Sequence, residues 1–477
     1  MYFTMKKIHT AFLFLAISFT SAAQHQEVNE KPATWNSKNE VVTDSTSLLH
    51  AFKAGKFNGS FRYFLMATDN VTGLTDYYAN AAGGGLRYET SKFYGLQFAL
   101  SGYYIFNIGS SNLGVPESAT GQYNRYEIGL FDIQDPYNKK DINRLEELYL
   151  KYNYKNSSLS FGRQLLNTPF INLQDGRMRP SEVEGAYFEI NEIKKTKIEG
   201  GWLYGFSPRS TTKWFRGASS IGVYSSGVNT DGTKSQYANN LTSNGVFMLG
   251  IHNEAIKNFK LHAWDVFIEN ILNTAMLQAD WQLPLKKESS IFSSAQVIRQ
   301  NAIKYGGNKN QSKTYVDKEA KAMAFGVRAG WKNKKIETSI NYNRITADGR
   351  YLMPREWGRD PFFTFLPRER NEGFGDVNAI MAKVNYNFDK VRIKTSLAGG
   401  YYNLPDVKNY ALNKYGLPSY TQINADVRYS FAGVLKGLEA QILVAGKIND
   451  GNIYNNDKYV INKVDMVNYN FVLNYNF

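Results

Sequence analysis

The chain has 477 residues, among them 33 Tyr and 30 Phe, with no Cys and a formal net charge of +14. Without cysteine there can be no disulfide, no thiolate metal site and no lipid attachment through a cysteine thiol. No run of 18 apolar residues follows the first two dozen positions, which excludes a transmembrane helix, and the mean hydropathy is only −0.43 despite the aromatic content.

At the N-terminus Lys6 and Lys7 precede the apolar run Ala11–Ile17, and Ser21-Ala22-Ala23 supplies small residues before Gln24. This is the layout of a secretory signal peptide over residues 1–23. Residues 24–58 are polar and do not alternate. They read as a largely disordered segment on the periplasmic side, with Leu48, Leu49 and Phe52 as a short helical patch at its end. From residue 59 to 477 the chain falls into segments of about ten residues with large apolar side chains at every second position. That is the length and period of a strand crossing a membrane at a tilt.

Eight tight polar turns separate pairs of such segments, near Ser91, Asn156, Lys194, Ala255, Pro284, Asn333, Asp389 and Gly433. Eight hairpins with one strand at each end predict an all-β, transmembrane antiparallel β-barrel of 18 strands, wide enough for an aqueous lumen. The longer connections, including 107–143, 165–183, 206–244, 301–320 and 346–376, become external loops, with 218–228 as the one stretch that could add a strand. The last segment, Val467–Phe477, ends on an aromatic residue and is expected to close the barrel against Phe61-Tyr63-Leu65. It also resembles the signal read by the barrel-assembly machinery.

In the C-terminal half, alternation assigns faces. With the apolar residues towards lipid, Arg328, Lys383, Arg392, Lys394, Arg428 and Lys447 point into the lumen. Lipid-facing charge at mid-bilayer costs about 2–4 kcal/mol, so inward placement is forced but positive sign is not. Inward acids are fewer, Asp426 and Glu439 being the clearest. A salt-bridged, water-filled wall and a track for anionic solutes both fit this pattern, and the second suits the planar, always-charged Arg fork.

Two loops carry unusual chemistry. One holds Asp175-Gly176-Arg177-Met178-Arg179-Pro180 between Gly162-Arg163-Gln164 and Glu184-Gly185. The other runs from Pro354 to Asp376 and combines Trp357, four Phe and three Pro with Arg359, Asp360, Arg368, Glu369 and Arg370. Aromatic anchors mixed with alternating charge suit loops packed into a lumen at a constriction. The competing reading is an outer rim that binds lipopolysaccharide or a partner.

At these two loops the sequence resembles the OprD-type (Occ) substrate-specific outer-membrane porins, in a distant branch. The resemblance implies an 18-stranded barrel in which the third and seventh loops fold inward to a narrow eyelet beside a ladder of basic residues. It implies passive diffusion of small water-soluble, carboxylate-bearing solutes, anionic or zwitterionic, through a monomer or loose oligomer without a cofactor. On that reading Arg177, Arg179, Arg359, Asp360, Arg368 and Arg370 join the six strand residues along the permeation path. Catalytic and metal-binding residues are not expected. An outer-membrane enzyme is disfavoured because no external loop contains His, and a structural or adhesive barrel because no long repetitive loop occurs. The scattered positive charges lack a nucleic-acid-binding module.

Overall fold

The computed structural model describes Trp35, residues 44–173 and residues 176–477. The predicted signal peptide 1–23 and Asp175 of the first loop motif lie outside these. Eighteen long strands form the wall. They are β1 Lys56–Asp69, β2 Tyr77–Glu89, β3 Leu96–Ser110, β4 Ile142–Tyr154, β5 Ser157–Gln164, β6 Glu182–Ile190, β7 Thr196–Ser207, β8 Val246–Asn253 and β9 Phe259–Ile268, then β10 Leu272–Pro284, β11 Ser290–Ala302, β12 Lys321–Lys332, β13 Ile336–Ile345, β14 Val377–Phe388, β15 Ile393–Asn403, β16 Tyr420–Ser430, β17 Leu438–Asn449 and β18 Met466–Asn476. Each pairs antiparallel with its chain neighbours. β1 also pairs with β18, Phe61 facing Tyr475, Tyr63 facing Leu473 and Leu65 facing Phe471. Phe477 and Gly59 exchange backbone hydrogen bonds of 2.9 and 3.0 Å. The sheet is therefore closed, as a bilayer requires of any strand-built span.

The eight tight connections join β2–β3, β4–β5 and so on to β16–β17, and all lie at one end. At that end aromatic pairs follow each other around the rim: Tyr386 with Phe388 at 5.6 Å, Tyr429 with Phe431 at 4.7 Å and Tyr475 with Phe477 at 5.3 Å between ring centres. Such a belt suits a membrane–water interface. The stretch 218–228 adds no strand to the wall. Its first residues form a 3-10 turn, Gly217–Ser220, inside the loop between β7 and β8.

Alternation sets the two faces. On β14 Ile380 and Val384 are exposed at 51% and 47%, whereas Ala379, Met381 and Lys383 between and beside them are buried. The same holds on β15 for Leu397 outside and Ser396 and Ala398 inside. Ahead of the barrel, Leu48–Lys53 forms a short helix (α1) capped by Ser47. It docks through Ala51, whose carbonyl accepts from the Ser91 amide at 3.0 Å. Trp35 does not belong to a solvated tail. It is 9% exposed and lies inside the lumen.

Leu397→Arg, on the lipid side of β15, should lower barrel stability by about 2–4 kcal/mol. Lys383→Leu, on the lumen side of β14, should not impose that cost. Urea unfolding from bilayers, read by tryptophan fluorescence, distinguishes the two.

Candidate functional site

The third loop (residues 165–181) and the seventh (residues 346–376) fill the lumen between the wall strands. The seventh is fastened all round. On β11, Gln300 donates to the Leu352 carbonyl at 2.8 Å and accepts from the Leu352 amide at 2.9 Å. Tyr402 of β15 donates to Thr364 O at 2.6 Å, and Gln422 and Asn424 of β16 both donate to Pro367 O. Arg368 donates to the side-chain oxygens of Asn468 and Asn470 on β18, at 2.7 and 2.6 Å. The inward Asn face of the final strand is thus a seat for a cation supplied by the loop.

The third loop clasps the seventh through Ser181, whose hydroxyl donates to Glu356 O at 2.7 Å, and above all through Asn172. The Asn172 amide donates to Trp357 O at 2.9 Å, its side chain donates to Arg359 O at 2.8 Å, and its Oδ1 accepts from the Arg359 amide at 3.1 Å. Gly358, between those partners, has φ +144°, and a Cβ there would stand 2.5 Å from Asn172 Oδ1. Trp357 stacks on Phe206 of β7 at 4.5 Å, and its Nε1 donates to Ser220. The buried Glu356 carboxylate accepts from the amides of Gly222 and Tyr224, both at 3.0 Å. On the third loop, Arg179 donates to Glu146 of β4 at 2.8 Å.

Two cavities rise from the turn end of the barrel to these loops. The larger, about 1840 Å³, is lined by Arg87, Glu147, Lys197, Glu199, His252, His262, Asp280, Arg328 and Lys383 among others. The smaller, about 390 Å³, is lined by Arg62, Arg177, Arg179, Arg359, Arg368 and Arg428 against only Asp426 and Glu439. Arg359 and Phe365 of the seventh loop line both, so this loop forms the partition. Its guanidinium lies over the Phe365 ring at 4.4 Å.

A strand-walled lumen entered by the third and seventh loops is a distinctive plan, and the sequence carries its mark. Residues 122–364 match the family model for outer membrane porin, OprD family. The chain belongs to the OprD family. Solved structures of similar fold include OccK9 (OpdG) of Pseudomonas aeruginosa, with a TM-score of 0.70 and 15% identity over 90% of this chain and 99% of that one. They also include OccAB1 of Acinetobacter baumannii (0.69, 14%, 91% and 98%) and Pseudomonas aeruginosa OpdK solved with vanillate (0.68, 12%, 89% and 99%). At these identities the likeness speaks to the fold alone. No curated protein matches the chain. As an OprD porin it is an integral outer-membrane channel for small solutes, and the fold is that of a channel rather than an enzyme.

The predicted path residues separate into groups in this OprD barrel. Arg328, Lys383 and Arg359 line the larger cavity, and Arg177, Arg179, Arg359, Arg368 and Arg428 line the smaller. Lys394 faces Arg428 across the β15–β16 ladder, towards the turn end. Arg392 does not belong to the wall. It ends the turn between β14 and β15 with φ 54°, exposed, because the chain must reverse there before β15 begins. Asp360, Arg370 and Lys447 line neither cavity. Lys447 Nζ is buried, makes no hydrogen bond among the described residues and sits 4.3 Å from the Tyr420 ring centre.

Around the seventh loop, burial works against charge. It pushes the Asp360 carboxyl up to about 7, with Glu372 adding to the rise. It also raises Glu369 well above the usual carboxylate range, with Asp360 next in effect. Arg370 is lowered to about 9 by burial, then by Arg125 and Arg355, and Lys463 to about 7 by burial, then by Arg125. Like charges from three loops therefore crowd one region.

Alternation extended to the N-terminal strands would have found Arg62 and Arg87. Of the acids that answer the arginines, Asp426 is the one that alternation had placed inside. Arg87 meets Glu147 and Glu89, each at 3.0 Å, Arg328 meets Asp280 at 3.5 Å, and Arg428 meets Asp426 at 3.2 Å. His252 and His262, directly opposite on β8 and β9, touch through their Nδ1 atoms at 2.6 Å, and Glu199 receives His252 Nε2 at 2.7 Å.

Asn172→Ala removes two hydrogen bonds between the loops, each worth about 0.5–1.5 kcal/mol. Gly358→Ala forces a side chain into the same contact at a φ that favours glycine. Both should widen fluctuations of the partition, seen in planar bilayers as noisier single-channel current at higher mean conductance, with the strand signal in circular dichroism unchanged.

Proposed function

We propose that this OprD channel passes small carboxylate-bearing solutes by passive diffusion. The observation that carries this reading is the smaller cavity, where six arginines face two acids. A planar guanidinium offers a carboxylate two parallel hydrogen bonds, and a cleft lined with one sign of charge in low-dielectric walls concentrates ions of the other. Successive sites favour passage when each attracts the solute and releases it to the next. Below Arg359 at the partition, Arg368 and Arg428 in the smaller cavity and Lys383 and Arg328 in the larger provide two such series. The acids paired with several of these arginines keep each site shallow and leave room for a zwitterion's ammonium group.

Replacing Arg328, Arg359 and Arg428 together by Gln should shift the reversal potential towards cations. It should also cut the flux of small carboxylates relative to sugars of equal size by roughly tenfold. Unchanged ion selectivity would falsify the proposal. Anion preference should also rise as pH falls through about 7, because Asp360 takes up a proton there and loses its negative charge. Lys414, lowered by burial to about 7, gains its charge over the same window and acts in the same direction. Asp360→Asn should therefore raise the preference at pH 8 and leave a shallower pH profile, measured as reversal potential against pH.

A further inference from the structure

Trp35 is the one residue ahead of Asp44 that the structure describes, and it stands inside the barrel rather than outside it. Its Nε1 donates to Glu147 Oε2 at 2.9 Å. The Arg179 guanidinium lies over its ring, 4.8 Å from the ring centre, and the other neighbour of that guanidinium is the Tyr103 ring at 4.5 Å. Gly85 of β2 lies at the far edge of the ring, where a Cβ would come within 3.2 Å of the indole Cη2 and closer still to the Tyr103 ring. The indole therefore has a cation on its face, a carboxylate at its N–H and a glycine at its far edge. Glu147 and Arg179 are each at least nine-tenths buried and held by further partners: Arg87 and Ser101 on Glu147, Glu146 on Arg179. A side chain 112 positions distant in sequence from Glu147 fills this place, so the place is built by the wall and not by Trp35's neighbours.

The route from the tether to the lumen is short. Asp44–Ser45 pairs with Lys92–Phe93 at the β2–β3 turn, and α1 docks on that turn through Ala51. The chain between Trp35 and Asp44 spans at most roughly 30 Å, which keeps the indole near the wall formed by β2, β3 and β4.

We propose that Gly85, Glu147 and Arg179 form an aromatic subsite for flat rings that carry an N–H, such as indoles, and that Trp35 is its internal occupant and narrows the channel. The subsite reads a planar ring and its N–H donor, independently of the anion preference argued above. It lies beside Arg179 of the third loop, so an occupant of ring size takes up cross-section next to the basic wall.

The test uses the full mature chain in planar bilayers. Trp35 precedes the first strand, so Trp35→Ala leaves every wall residue in place. It should raise unitary conductance by about two-fold, because the space the indole fills beside the larger cavity is then open to ions. Indole added to the turn side should then interrupt the Trp35→Ala current in a concentration-dependent way and leave the native channel unaffected. Benzene, which lacks the N–H, should interrupt it at least tenfold more weakly. Native conductance in Trp35→Ala, or equal indole block of both channels, overturns the proposal. Loss of anion preference in the arginine variants above would leave it standing.

Discussion

Hydrocarbon offers no partner to a peptide N–H or C=O, so every strand in a bilayer must find both of its neighbours. The pairing of β1 with β18 meets that demand, down to the exchange between Gly59 and Phe477. Once the sheet is closed, the strand period of two divides the side chains between two faces, shifting only at bulges such as the one that brings both Glu146 and Glu147 inside. One set meets lipid and must be apolar, and the other is trapped in a cylinder too wide for side chains alone to fill. What occupies that cylinder is then a second folding problem, solved here by loops.

Those loops bring their own polar backbone into the lumen, and the wall answers with amides. Gln300, Gln422, Asn424, Asn468 and Asn470 are uncharged inward residues whose partners are loop carbonyls, loop amides or Arg368. Charged inward residues such as Arg62, Arg87, Arg328, Lys383 and Arg428 line the cavities that the loops leave open, while Arg144 and Glu146 hold the third loop at Pro180 O and Arg179.

Architecture was legible in the sequence because alternation and tight turns are local signals. Eight turns predicted 18 strands, and the third and seventh connections fell where the inward loops are. Face assignment held wherever a residue lay well inside a strand, as with Lys383 and Arg428. It failed at Arg392, where parity carries no meaning because the chain is turning. The acids opposite the arginines were unevenly visible: Asp426 was read as inward by alternation, whereas Asp280 meets Arg328 across the intervening strand β11. The indole of Trp35 gave no local signal. One aromatic residue in a polar stretch has no period, and its place depends on Glu147 and Arg179 far along the chain.

The grip of Arg368 on Asn468 and Asn470 ties the seventh loop to the last strand to be made. Until β18 is in register against β1 and β17, that part of the loop has no seat. A barrel still waiting for its final strand therefore lacks two of the hydrogen bonds that hold this loop across the lumen. The contact that makes the wall continuous thus also completes the seat of the loop that narrows the lumen.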